Sequence, residues 1–193
     1  MTFVMSGTGM RAIDLEVTSF EIESALDLAR GPQTARAAFH KPYIFSGGSS
    51  TVEKIEVVTE RRRIVLMAED HIAQGDHMFA RGIRPTTEAM RPYRRRVSVV
   101  ATLRFTSRNP LLAAPGVDVV LRSSSGDVRR LDLQTRPVYA LGAGVDNERL
   151  PVIGAVADAS FDATLLADAS RLAIVRIEGK EVGGVTIDFS RLD

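Results

Sequence analysis

The chain contains no cysteine, which excludes thiolate zinc sites, cysteine nucleophiles and any disulfide framework. The compartment stays open, because a chain without thiols suits reducing and oxidising surroundings alike. Lysine is scarce: only Lys41, Lys54 and Lys180 occur, so 22 of the 25 basic residues are arginine. The planar arginine fork suits carboxylates and phosphates, although a GC-rich genome produces the same bias with no function attached. No apolar run approaches the ~20 residues that a membrane-crossing helix requires. Met1 to Met10 is polar and glycine-rich, without the basic start and apolar centre of a secretory leader. The expectation is a cytoplasmic chain by default, or an exported one whose leader has been removed. No segment repeats, and none is of low complexity.

What is present fits a soluble globular protein. The 193 residues are 45% hydrophobic and 25% charged, ordinary values for one domain or one domain with a helical appendage. A chain of this length buries roughly 70% of the surface it exposes when unfolded, enough for a core without metal or cross-link. The net charge of +1 hides an uneven distribution. Residues 1–80 sum to −3, residues 81–136 to +8 and residues 137–193 to −4.

The first part of the chain reads as helical. Within the stretch from Ile13 to Ala38, Ile22, Ala25, Leu26 and Ala29 recur at i, i+3, i+4 and i+7, and Gly31-Pro32 stops the helix. A second short piece follows through Ala35, Ala38 and Phe39. After the Gly/Ser loop from Ser46 to Ser50, one long helix is expected over Thr51 to Gln74. Ser50 would cap it with Glu53 completing a capping box, and Gly75 would close it in the left-handed region. Its stripe runs Val52, Ile55, Val58, Arg62, Val65, Leu66, Glu69 and Ile72. Glu56, Glu60 and Arg63 are spaced for helical ion pairs. The rival reading is a strand from Ile55 to Thr59 and then a shorter helix, because Val57, Val58 and Thr59 are β-branched. Phe79 to Tyr93 reads as irregular, with one helical turn at Thr87 to Met90.

After Arg94 the period changes to 2. Val97, Val99, Ala101, Leu103 and Phe105 alternate with Ser98, Val100, Thr102 and Arg104, a half-buried antiparallel strand. Further strands are expected at Val117 to Arg122, Val128 to Leu133, Pro137 to Leu141, Val152 to Ala163, Leu172 to Glu178 and Val185 to Phe189. Pro137 suits a strand start or a sheet edge. The fold class is therefore α+β: a helical segment over 1–93 containing one long helix, then an antiparallel β-sandwich of about seven strands over 94–193. The pattern is similar to immunoglobulin-like and other small sandwiches, a similarity that specifies no activity.

Candidate chemistry is sparse. His71, Asp76 and His77 flank Gly75, so a chain reversal could turn two imidazoles and a carboxylate toward one zinc ion. Their spacing lacks the four-residue interval of helical metal motifs, and a solvated helix end explains them as well. Arg91, Tyr93, Arg94, Arg95 and Arg96 could grip phosphates and stack one base. The acidic ends of the chain supply partners for these arginines, which favours an intramolecular role over nucleic acid. Arg61, Arg62 and Arg63 point in different directions if helical. The Ser46 to Ser50 loop lacks the lysine of a P-loop, Gly142-Ala143-Gly144 lacks the third glycine of a dinucleotide fingerprint, and no serine sits in a nucleophile elbow. Asp158 and Asp162 are spaced to share one sheet face, and such pairs more often serve structure than acid–base chemistry.

The leading expectation is a non-catalytic binding or assembly module without a cofactor, meeting a protein partner (itself or another) through a sheet edge or the helical arm. A metal-dependent hydrolase built on His71, Asp76 and His77 is the alternative, and a nucleic-acid binder through the arginine-rich middle is the second.

Overall fold

The expected periodicity of the first forty residues is realised as α1 (Ser19–Arg30) and α2 (Gln33–His40), in a computed structural model that describes residues 17–105, 114–140, 151–166 and 170–192. Thr18 caps α1 in a reciprocal box with Glu21, and the helix buries Ile22, Ala25, Leu26 and Ala29. Gly31 is extended, with ψ at 178°, as the residue before a proline prefers.

The long helix expected over Thr51 to Gln74 does not form. Its place is taken by a strand and a shorter helix. β1 (Ile44–Ser46) and β2 (Val52–Val58) precede α3 (Glu60–Ala73). β2 pairs with β3 (Arg96–Arg104), placing Ile55 opposite Ala101 and Val57 opposite Val99, all four fully buried. The β-branched run that disfavours a helix thus gains a strand neighbour that local periodicity cannot register. Thr59, not Ser50, caps the helix by accepting from the Arg62 N–H, and Ser49 accepts from the Val52 N–H ahead of β2. Gly75 closes α3 at φ 84°. The expected helical ion pairs are replaced as well. Glu56 pairs with Lys54 and Arg62, while Glu60 accepts from the Arg95 N–H. The stretch after Gly75 is more regular than expected, with α4 at Ile83–Met90. Pro85 sits in its first turn, where no N–H is needed.

The remaining strands are β4 (Val117–Ser123), β5 (Gly126–Asp127), β6 (Arg130–Tyr139), β7 (Val152–Asp162), β8 (Ser170–Ile177) and β9 (Lys180–Asp188). The described residues thus hold four α-helices and two antiparallel sheets, ordered β1-β2-β3-β7-β6 and β5-β4-β8-β9. The nine strands among the described residues differ from the expected seven in three ways. β2 was hidden under helical spacing and its partner β1 precedes the Gly/Ser loop, Gly126–Asp127 reads as part of a turn, and β6 continues through Pro137, merging two expected strands into one. That proline is tolerated because β6 is an edge among the described residues. The β8–β9 turn carries Glu178 at φ 48° and Gly179 at φ 76°, the doubly left-handed geometry of a tight hairpin.

One core joins the two sheets. Ile55, Leu103 and Phe161 from the first sheet cluster with Leu121, Val175 and Ile187 from the second. A second core lies among the helices, built on Ile22, Leu26, Ile64, Val65, Ala68 and Met90, and Phe39 of α2 packs against both. Among the described residues no helix is long and apolar enough to cross a membrane.

Candidate functional site

The helical layer is tied to the first sheet by arginines of α3. Consecutive positions on a helix diverge by about 100°, and the three arginines there go separate ways. Arg61 lies over the Phe39 ring. Arg62 is buried at 2% exposure. It donates to the Val57 carbonyl at 2.6 Å, to Glu56 Oε1 at 2.9 Å and to His40 Nδ1 at 3.4 Å, with its guanidinium 5.2 Å from the Tyr43 ring centre. Arg63 donates to the Ser98 hydroxyl at 2.7 Å and stands over Tyr93 at 4.2 Å. Burial pulls the Arg63 guanidinium below its ordinary range, against the opposing pull of Asp158 and Tyr93.

The Arg62 network also positions His40. A guanidinium can only donate, so in this contact Nδ1 is the acceptor. The other ring nitrogen, Nε2, faces Glu69 Oε2 at 3.1 Å, and Glu69 also receives Arg36 at 3.4 Å. At the other end, burial would raise the Glu56 carboxyl, but hydrogen bonds from Lys54 and Arg62 outweigh it and hold the group below the usual range. A carboxyl with a depressed folded-state pKa adds stability that is complete above its unfolded value and lost as pH falls through the folded one. The melting temperature is therefore expected to fall as the solution is acidified below the ordinary glutamate range. Glu56→Gln should start less stable at neutral pH and lose less on acidification. Thermal unfolding across a pH series checks this, and parallel curves for the two proteins would refute it.

The residues singled out in the sequence are distributed differently. His71 Nδ1 meets Asp76 Oδ2 at 2.9 Å, and the His71 ring stacks on Phe79 with centres 3.9 Å apart. N–H groups of Phe79 and then His71 hold the Asp76 carboxyl below its usual range. His77 turns to a different cleft, described below. Among the described residues no group of three or more His, Cys, Asp or Glu side chains is arranged to hold a metal ion. Tyr93, expected as a stacking platform, is covered on one side by Arg63. Arg91, Arg94 and Arg96 are exposed and make no ion pair with a described residue, whereas Arg95 is anchored by its backbone to Glu60 and Ala163. The Ser46 to Ser50 loop packs tightly on β9: a Cβ on Gly183 would come within 2.6 Å of the Gly47 carbonyl. Gly142, Ala143 and Gly144 lie outside the described residues. Asp162 caps the turn after β7 through Thr164. Asp158 stands opposite Val100 and Gln134, with its Oδ1 buried and without a hydrogen bond.

Sequence reasoning missed a cleft of about 330 Å³ at the C-terminal ends of α1 and α3. Arg30, Arg36, His77 and Arg81 line it, and no carboxylate does. Arg30 is paired with Asp27 and Arg36 with Glu69, but the Arg36 Nε is buried without an acceptor. Arg81 is exposed and has no ion-pair partner among the described residues. These side chains come from α1, α2 and the segment between α3 and α4, so no sequence motif announces them. A basic residue in the last turn of α1 is the only local trace.

No family model matches the chain, and no curated protein or solved structure matches it significantly.

Proposed function

We propose that this protein is a non-catalytic binding module in which the two sheets form a β-sandwich scaffold and the helical side receives an anionic ligand. The observation that carries this reading is the pairing of the arginines. On the sheets, Arg104, Arg122, Arg130 and Arg176 are each matched to a carboxylate. Arg81, Arg91 and Arg94, between α3 and β3, and Arg96, which opens β3, make no ion pair with a described residue and follow one another closely along the chain, whereas the sheet arginines without one, Arg136 and Arg171, stand singly on β6 and β8. Unmatched cations raise the local potential and attract anions at long range. The half-buried His40, tied to Arg62 and Glu69, serves the link between helices and sheet and is not presented to a ligand in this reading. The β6 edge is a poorer docking surface. It carries Arg130, Asp132, Arg136 and Pro137, residues of the kind that blunt strand addition.

Retention on immobilised heparin, used purely as a polyanionic probe, tests the reading. A variant with Arg81, Arg91, Arg94 and Arg96 changed to glutamine should elute at clearly lower salt. A control with the same change at Arg104, Arg122, Arg130 and Arg176 loses the same charge and should elute close to the unaltered protein. Equal shifts in the two variants would mean that net charge alone governs retention, and the helical side would lose its special status.

A further inference from the structure

We infer that the cleft at the C-terminal ends of α1 and α3 is a binding site for a small organic phosphate, gripped by Arg36 and Arg81 with Arg30 and His77 beside them. This rests on the reading of the helical side as the anion-binding face and assigns it a ligand class and a place.

Three features of the cleft lead there. The first is charge. Three guanidiniums line the cleft with no carboxylate among the lining residues; Asp27 and Glu69 offset Arg30 and Arg36 from outside it, and Arg81 makes no ion pair with a described residue. A dianion complements that residual positive charge more than a monoanion does. The second is the reach of the donors. Arg36 is partly exposed and gives only its Nη1 to Glu69, at 3.4 Å, while Arg81 is exposed, so both present guanidinium N–H groups at the cleft. Phosphate oxygens are the natural complement of arginine forks, since each can accept from more than one guanidinium. The third is size and lining. The cleft volume of about 330 Å³ falls in the range of small-molecule pockets, about 300–1,000 Å³. Ala29, Ile72 and Ala80 supply an apolar wall against which an organic group can lie.

A purely structural role is the competing account. Helix C-terminal carbonyls attract cations, and Arg30 in the last turn of α1 fits that role. It leaves Arg81 unexplained, because Arg81 lies in a short turn after α3, at Phe79–Arg81. The structural account predicts no ligand and a stability change on mutation. The binding account predicts a ligand, and little stability change at Arg81.

Titration calorimetry with phenyl phosphate, inorganic phosphate and benzoate separates the two. Phenyl phosphate should bind the full chain at least about tenfold more tightly than benzoate, which has a similar ring but one charge. It should also outbind inorganic phosphate, because the ring adds apolar contact. Arg81→Gln should weaken phenyl phosphate by about tenfold or more, Arg81→Lys by less, and Arg104→Gln, on the sheet and paired with Glu53, not at all. The melting temperature of each variant shows that it remains folded, and should rise with phenyl phosphate in the unaltered protein. No binding up to about 10 mM phenyl phosphate, or equal binding by the unaltered protein and Arg81→Gln, overturns the assignment. The heparin measurement is read separately. Differential heparin retention without phenyl phosphate binding removes this cleft but leaves the helical-side reading standing. Phenyl phosphate binding without differential heparin retention does the reverse.

Discussion

Replacing Arg62 with alanine is expected to cost about 3–5 kcal/mol, the range for breaking a buried charged network by removing one partner. The side chain is 2% exposed and serves three acceptors at once: the Val57 carbonyl, Glu56 and His40. Truncation leaves the buried Val57 carbonyl without this donor and opens a void beside Tyr43. Glu56 keeps Lys54 and is less stranded, which places the main cost on the backbone carbonyl and on packing. Arg62→Lys should rescue little, because an ammonium lacks the planar fork that reaches separate acceptors together. Arg62→Met restores volume without donors and should fall between alanine and the native residue. Urea unfolding of the three variants decides the matter. A loss below about 1 kcal/mol for alanine would show that water replaces the network without penalty.

Phe161→Ala should cost about 3–5 kcal/mol, the range for truncating a buried phenylalanine. Phe161 is fully buried and stands opposite Val97 on one side and Arg130 on the other. Its row on β7 is otherwise Ala155, Ala157 and Ala159, all fully buried. Alanine has no side-chain torsion with which to move into a void, so the cavity left by the ring stays largely open. Leu165→Ala, nearby but with the leucine 49% exposed, is the control and should stay within about 0.5 kcal/mol. Equal losses at the two positions in chemical denaturation would contradict the core assignment. A drop for Phe161→Ala below about 1 kcal/mol would do the same.

Much of the architecture was written in short-range pattern. The faces of α1 and β3 followed from apolar spacing alone: Ile22, Ala25, Leu26 and Ala29 are buried, as are Val97, Val99, Ala101 and Leu103. The strands expected at Leu172 to Glu178 and Val185 to Phe189 form β8 and β9, the second beginning earlier, at Lys180. In each case one period fits and the other does not, so near neighbours along the chain suffice to choose.

Val52 to Thr59 was different, because its apolar positions satisfy both periods. Val52, Ile55 and Val58 make a helical stripe, while Ile55 and Val57 alternate as a strand. The choice between them came from β3, more than forty residues further along, whose Val99 and Ala101 bury Val57 and Ile55. Arg62 shows the same division. Its place on the inward stripe was legible, but its partners were not, since they lie on β2 and α2. The basic cleft was wholly out of reach of sequence pattern. Arg30, Arg36, His77 and Arg81 belong to separate elements, and each alone looks like a surface charge. Periodicity encodes which side of an element meets the core, whereas the convergence of side chains from several elements depends on how those elements pack, and no window along the chain contains that information.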